Sequence, residues 1–136
     1  MTAEKKPVPH ETELSKPYWD AARQGVLKIQ KCSNCGTVRH YPQLVCVECY
    51  SREYGWTETS GKSTLHSWTI AHHAFHAAFR DELPYILATV DLEEGPRALG
   101  RLVGIEAQDL KIGLPLRYSF VSDENGTPIL TFHPAG

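Results

Sequence analysis

From Lys62 onward apolar and polar residues alternate in short runs separated by turn residues, the period of strands that bury one face. The runs are Lys62 to Ile70, Tyr85 to Leu92, Arg97 to Val103, Leu116 to Val121 and Ile129 to His133. Between the third and fourth lies Gly104 to Lys111, long enough for one helical turn. Asp91 to Pro96 joins two strands tightly, and Asn125-Gly126 suits a hairpin. Asn125-Gly126-Thr127 also fits a glycosylation acceptor, but in a cytosolic chain the hairpin explains it better.

Five strands with an insertion after the third predict an OB-fold barrel. Its expected core is Leu65, Trp68, Ile70, Ile86, Ala88, Val90, Leu99, Leu102, Val103, Leu116, Tyr118, Phe120, Leu130 and Phe132. Gly100 and Gly104 are expected to permit sharp bends.

The pattern upstream is different. Residues 1–16 are charged and proline-bearing, too polar to order themselves, and predict a disordered tail. Pro17 to Gly25 has proline at a first helical position and glycine as the stop, so it predicts a helix of about two turns. So short a helix is marginal alone, and Tyr18 and Trp19 must dock on the chain's own core or on a partner. Val26 to Lys31 alternates as a strand, and Val38 to Tyr41 makes its return.

Around that hairpin stand all four cysteines, Cys32 and Cys35 followed by Cys46 and Cys49, two C-x2-C pairs. Each pair brings two thiolates to one ion, and two pairs close a tetrahedral shell, so zinc is the expected metal. Gly36 after the first pair is expected to take a positive φ. Two disulfides, a redox pair and a rubredoxin-like iron site are the alternatives. They would call respectively for a small secreted domain, a lone pair beside a βαβ unit, or some feature that favours iron over zinc. A closed four-cysteine site leaves no position for substrate, so its expected role is structural. The fold class is therefore mainly β: residues 1–16 a tail, 17–55 a helix and zinc ribbon, 56–136 an OB-fold domain.

Net charge is −2, which lacks the basic footprint of a nucleic-acid binder. Zinc ribbons and OB-folds do serve on single strands, so a single-stranded nucleic-acid module is kept as the alternative function. No apolar run approaches the roughly 20 residues of a membrane span, and the N-terminus lacks a signal-peptide pattern; the expectation is a soluble, cytoplasmic protein.

One further stretch is unusual. Ala71-His72-His73-Ala74-Phe75-His76-Ala77-Ala78-Phe79-Arg80 puts three histidines between the first two barrel strands. On a helix His72 and His76 would share a face, but the acid of H-E-x-x-H is missing. Acid–base work by these histidines is chemically open, with Asp81 and Glu82 nearby in sequence. The commonest outcome for such a loop is that Phe75 and Phe79 pack while the histidines cap or meet solvent. No recognisable catalytic set emerges.

Taken in order, several motifs resemble the DUF35 family. They are Tyr18-Trp19, Cys32-x2-Cys35-Gly36, Tyr41-Pro42, Cys46-x2-Cys49, Leu83-Pro84-Tyr85 leading to Thr89-Val90-Asp91-Leu92, Glu94-Gly95 and Gly113-Leu114-Pro115-Leu116. The resemblance covers about Tyr18 to Pro134. The family usually has two prolines and an arginine after its first knuckle, where Pro42 here is followed by Gln43, and a proline where Val47 stands. Neither departure touches a cysteine. The resemblance implies a non-catalytic subunit that binds a thiolase-superfamily or hydratase-like enzyme in a hetero-oligomer. It also implies a part in holding acyl-CoA, with sterol side-chain or lipid metabolism as the setting. A CoA ligand would need cations and a flat apolar platform, which Lys31, Arg39, Lys62, Arg80, Arg101, Trp56 and Trp68 could supply. The family's loop after the first barrel strand lies near the partner side, which adds His73 and Phe75 to Arg80 as candidate contacts.

Overall fold

The computed structural model describes residues 5–135, so part of the expected tail, residues 1–4, lies outside the described residues. One helix, α1 (Lys16–Ala22), leads into β1 (Lys28–Cys32), β2 (Val38–Arg39) and β3 (Tyr54–Glu58). These strands form a three-stranded antiparallel sheet in the order β2-β1-β3. The remaining strands, β4 (Ser63–Ala71), β5 (Tyr85–Leu92), β6 (Arg97–Leu102), β7 (Pro115–Ser122) and β8 (Pro128–Pro134), close a barrel in the order β4-β5-β6-β8-β7. β6 and β8 are parallel, and the other barrel pairs are antiparallel. The expected five-stranded OB-like barrel is thus present, with a single 3₁₀ turn (Ala107–Asp109) in the insertion before β7.

β3 has no counterpart among the strands read from sequence. It crosses the expected boundary between residues 55 and 56 and pairs along its whole length with β1, Lys28 opposite Glu58 through Cys32 opposite Tyr54. The short run Tyr54-Gly55-Trp56-Thr57-Glu58 gives a weak strand signal because its alternation is broken by Gly55.

Ribbon and barrel share one buried cluster. Leu27 and Ile29 from the ribbon side pack with Leu65, Ala88, Val90, Leu102, Leu116 and Phe132 of the barrel. Two hydrogen bonds cross the junction: the Leu27 N–H donates to the Tyr118 hydroxyl at 3.0 Å, and the Leu99 N–H donates to the Tyr41 hydroxyl at 3.1 Å. The helix docks on the chain's own core, with the Tyr18 ring 6.2 Å from Phe120 and 5.7 Å from His40. Burial pushes the Tyr18 hydroxyl up to about 12.

Three expected core residues are exposed instead. On β6 the inward residues are Ala98, Gly100 and Leu102, so Leu99 and Val103 point out, at 51% and 43% exposure. Side-chain size misleads there: the interior takes the small residues of this strand because Phe132 fills the space opposite. A Cβ on Gly100 would lie 2.7 Å from the Phe132 ring and 2.8 Å from the Leu130 carbonyl oxygen. Gly100 is therefore required for close approach, while the bend belongs to Gly104, with φ +77°. Trp68 has a different reason. β4 pairs with β7 only at Ser63 and Thr64, then runs on with β5 alone to Ala71, so nothing closes over Trp68 and it stays 37% exposed.

Candidate functional site

Each cysteine pair sits in a turn of the same design. The Gly36 N–H donates to the Cys32 carbonyl at 3.0 Å, and the Tyr50 N–H donates to the Cys46 carbonyl at 2.9 Å. Both turns need the left-handed region directly after the second cysteine: Gly36 takes φ +77° as expected, and Tyr50 takes φ +63° with a side chain in place. The turns face each other, and the four sulfurs lie within 4.8 Å of one another. Cys32 Sγ is 3.6 Å from Cys49 Sγ, and Cys35 Sγ is 3.7 Å from Cys46 Sγ.

A tetrahedral ion with metal–sulfur bonds of about 2.3 Å sets its sulfurs about 3.8 Å apart, so this set fits zinc well. Disulfides would need sulfurs at about 2 Å, so the spacing excludes them. The backbone N–H of Cys35 leads the groups that lower the Cys32 thiol to about 6; the Asn34 N–H and neighbouring thiols add to it against the opposing effect of burial. Such N–H groups pre-form the thiolate a metal needs.

A buried polar layer lies behind this centre. The Gln30 side-chain oxygen accepts from Arg39 Nε and, at 2.8 Å, from the Gln43 N–H; Arg39 Nη2 donates to the Gln43 carbonyl at 3.2 Å. His40 is packed between Tyr18 and the Tyr41 ring, 4.0 Å away, and neither of its ring nitrogens has a hydrogen-bond partner. Burial lowers its pKa to about 4, so the ring is neutral at neutral pH.

The six residues considered for ligand contact fall in three places. Lys31 is exposed on β1, whereas Arg39 is buried and bonded within the ribbon. Lys62 lines an open cavity of about 430 Å³ beside the β4–β7 seam, together with Asp91, Glu93 and Arg117. His73, Phe75 and Arg80 all stand exposed on the connection from β4 to β5, the His73 and Phe75 rings 4.6 Å apart. Phe75 is 97% exposed, which corrects the expectation that it packs. Phe79 does pack, 6.3 Å from the Tyr85 ring. His76 caps the 3₁₀ turn Ala77–Glu82, its Nδ1 accepting from the Ala78 N–H at 3.1 Å, and His72 meets solvent. Among the described residues, the four cysteines are the one cluster of three or more metal-capable side chains.

A second cavity, of about 400 Å³, was not anticipated. It lies on the outer wall of the barrel and is lined by Lys6, Phe79, Arg101, Val103, Val121 and Ile129 among others. The signal available in the sequence was Val103, Val121 and Ile129 at alternating positions that a one-faced strand would make polar. Among the described residues no helix is long and apolar enough to cross a membrane.

Comparison with known proteins agrees with this architecture part by part. Residues 19–55 match the family model of the ChsH2 rubredoxin-like zinc ribbon domain, and residues 56–121 match that of the ChsH2 C-terminal OB-fold domain. The chain is 36% identical to a probable enoyl-CoA hydratase alpha subunit of Thermomonospora curvata over 87% of its own length. It spans only 36% of that longer relative. It is 35% identical to a DUF35 domain-containing scaffold protein of Methanothermobacter thermautotrophicus, with 75% of this chain and 77% of the relative covered. In a solved structure described as the Ltp2-ChsH2(DUF35) aldolase, one chain superposes with a TM-score of 0.86 at 34% identity, covering 95% of this chain and all of that one. With both halves matched in order and the four cysteines converging as a zinc ribbon requires, the chain belongs to the DUF35 family.

Proposed function

We propose that this protein is a non-catalytic accessory subunit that binds a thiolase-superfamily or hydratase-like enzyme and helps to hold its acyl-CoA substrate. The observation that carries the reading is the superposition over the full length of a chain from the Ltp2-ChsH2(DUF35) aldolase structure. The relative named as an enoyl-CoA hydratase alpha subunit supports the same class of partner. Zinc in the four-cysteine centre is structural: four thiolates complete the shell, so the ion orders the two turns and takes no part in chemistry. The setting proposed is cytoplasmic, in a hetero-oligomer of sterol side-chain or lipid metabolism.

Exposed apolar side chains give the surface a partner would cover. Phe75 is 97% exposed and Trp68 37% on the β4–β5 arm, and Leu44, Val47 and Tyr50 are each at least 65% exposed around the second cysteine turn. The test is affinity purification of the tagged protein from extract of its native host, with mass-spectrometric identification of what accompanies it. A thiolase-like or hydratase-like chain at near-stoichiometric amount is the expected result. Recovery of the protein alone with a turnover of its own, or with bound nucleic acid, would overturn the reading.

A further inference from the structure

The inside of the barrel has no room for a ligand. Leu65, Ala88, Val90, Leu102, Leu116 and Phe132 are each at most 2% exposed and fill it. Its outside is unusual, because the outward row of an antiparallel sheet facing water is ordinarily polar. Here Val103, Val121 and Ile129 point outward from the end of β6, from β7 and from β8, and each keeps more than a third of its surface exposed.

Part of this apolar wall has a roof made of two separate segments. One is the 3₁₀ turn Ala77–Glu82, which brings Phe79 over the wall; the other is the stretch of residues 6–9, which has no regular structure. The roof is fastened mainly at Lys6. Its Nζ lies 2.6 Å from Glu82 Oε2, its N–H donates to Glu124 Oε1 at 2.8 Å, and its carbonyl accepts from Asn125 Nδ2 at 2.9 Å. Glu82 is also bonded by Arg101, which stacks on the Tyr85 ring at 4.2 Å. Burial pushes the Glu82 carboxyl up, but hydrogen bonds from Lys6 and Arg101, with their charges, outweigh it and hold it below the ordinary carboxylate range.

Between wall and roof lies the cavity of about 400 Å³, within the 300 to 1,000 Å³ typical of small-molecule sites. Apolar groups line much of it. Lys6 and Arg101 line it as well, both paired with Glu82, whose place a ligand oxygen could take, and Ser122, Asp123 and Thr131 complete the polar lining. A guest that fits must carry a long apolar body and one oxygen-bearing end. Because its own chain covers the cavity, a small molecule suits it better than another protein.

We propose that this roofed cavity receives the acyl portion of the ligand, with the apolar body along Val103, Val121 and Ile129 and the carbonyl oxygen accepting from Arg101 or Lys6. The proposal deepens the accessory-subunit reading above and rests on it for the acyl identity. Of the cations singled out in the sequence only Arg101 lines this cavity; Lys31, Arg39, Lys62 and Arg80 do not, and neither do His73 and Phe75. Entry requires the Lys6 fastening to open, which makes residues 6–9 a lid.

The test is a fluorescence titration of the zinc-loaded full chain with cis-parinaric acid, a fatty acid whose emission rises in apolar surroundings. Saturable binding at one site per chain is expected. Val121→Trp, which fills the cavity from an exposed position, should weaken binding at least tenfold, whereas Ile112→Ala, on an exposed loop elsewhere, should leave it unchanged. Lys6→Ala should speed probe release severalfold. Amide shift mapping on the unmutated protein does not depend on any variant folding: the perturbed amides should cluster on residues 101–103, 121–123 and 129–131. No saturable binding, unaltered binding to folded Val121→Trp, or shifts centred elsewhere would overturn the proposal. Recovery of the enzyme partner by Val121→Trp, measured in parallel, separates failure of this site from failure of the accessory role.

Discussion

The ribbon and the barrel reach order by opposite routes, although they share a seam. The barrel buries a contiguous apolar interior, from Leu65 through Phe132, and each fully buried side chain of that size contributes roughly 1.5 to 3 kcal/mol. The ribbon contributes Leu27 and Ile29 to the buried part of that cluster, with Val38 half-buried against it, and otherwise buries Gln30, Arg39 and two cysteines, with His40 largely covered. Apart from the metal centre, its interior is polar, stacked and incompletely hydrogen bonded, with Gln30 Nε2, Arg39 Nη1 and both His40 nitrogens lacking partners. Burying such groups opposes folding. A region of this kind depends on its cross-link, whereas the barrel does not.

The largest effect that follows is loss of the metal. Structural zinc in comparable small modules is worth roughly 10 to 16 kcal/mol in apparent binding free energy, far above what two aliphatic side chains supply. Chelation, or Cys46→Ser, should abolish amide protection on β1 and β2 while amides of β5 and β6 stay protected. Hydrogen exchange read by mass spectrometry checks this, and simultaneous loss throughout the chain would erase the distinction between the regions.

On the barrel side the corresponding break is Gly100→Ala. Its Cβ would meet a ring carbon at 2.7 Å and a backbone oxygen at 2.8 Å, and the backbone cannot swing away. A loss of about 3 kcal/mol is expected in urea unfolding, the upper end of the usual overpacking range. A change within about 0.5 kcal/mol would show that the interior is looser than described.

An acid-dependent difference sharpens the ribbon side. His40 has its pKa lowered from 6.5 to about 4, so the unfolded chain binds the proton first. Stability therefore falls as pH drops from about 6.5 to about 4, by up to about 3 kcal/mol from this one residue. His40→Leu should lack that part of the acid sensitivity. Acid also releases thiolate-bound zinc, so the comparison of the two proteins at each pH isolates the histidine. Parallel pH profiles would contradict the assignment.

The smallest effect is a gain. Tyr50 holds φ +63° at the position where the first turn uses Gly36. Tyr50→Gly should relieve about 1 kcal/mol of backbone strain, offset in part by the greater freedom of glycine in the unfolded chain. Thermal unfolding of the zinc-loaded protein would register a small rise, and a fall would mean that the exposed Tyr50 ring makes stabilising contacts.

The same contrast explains what could be read from the sequence. The four cysteines were legible because metal chemistry fixes residue type and spacing together, and five strands were legible because a one-faced barrel leaves a period of two. Register inside β6 was not, because the inward positions carry Ala98 and Gly100 while the larger Leu99 faces out, and only the Phe132 ring opposite explains why. β3 escaped for want of alternation. Of the outer-wall cavity only the apolar side chains Val103, Val121 and Ile129 left a signal; its polar fastening could not be read, since it needs Lys6 brought to Glu82 and Arg101 from far along the chain.

The most direct test of the account is native mass spectrometry of the tagged protein as isolated from its host. The predicted species contains this chain, one zinc ion and an acyl-CoA-processing enzyme chain in fixed ratio. A species with the mass of this chain alone, or one without zinc, would contradict the account.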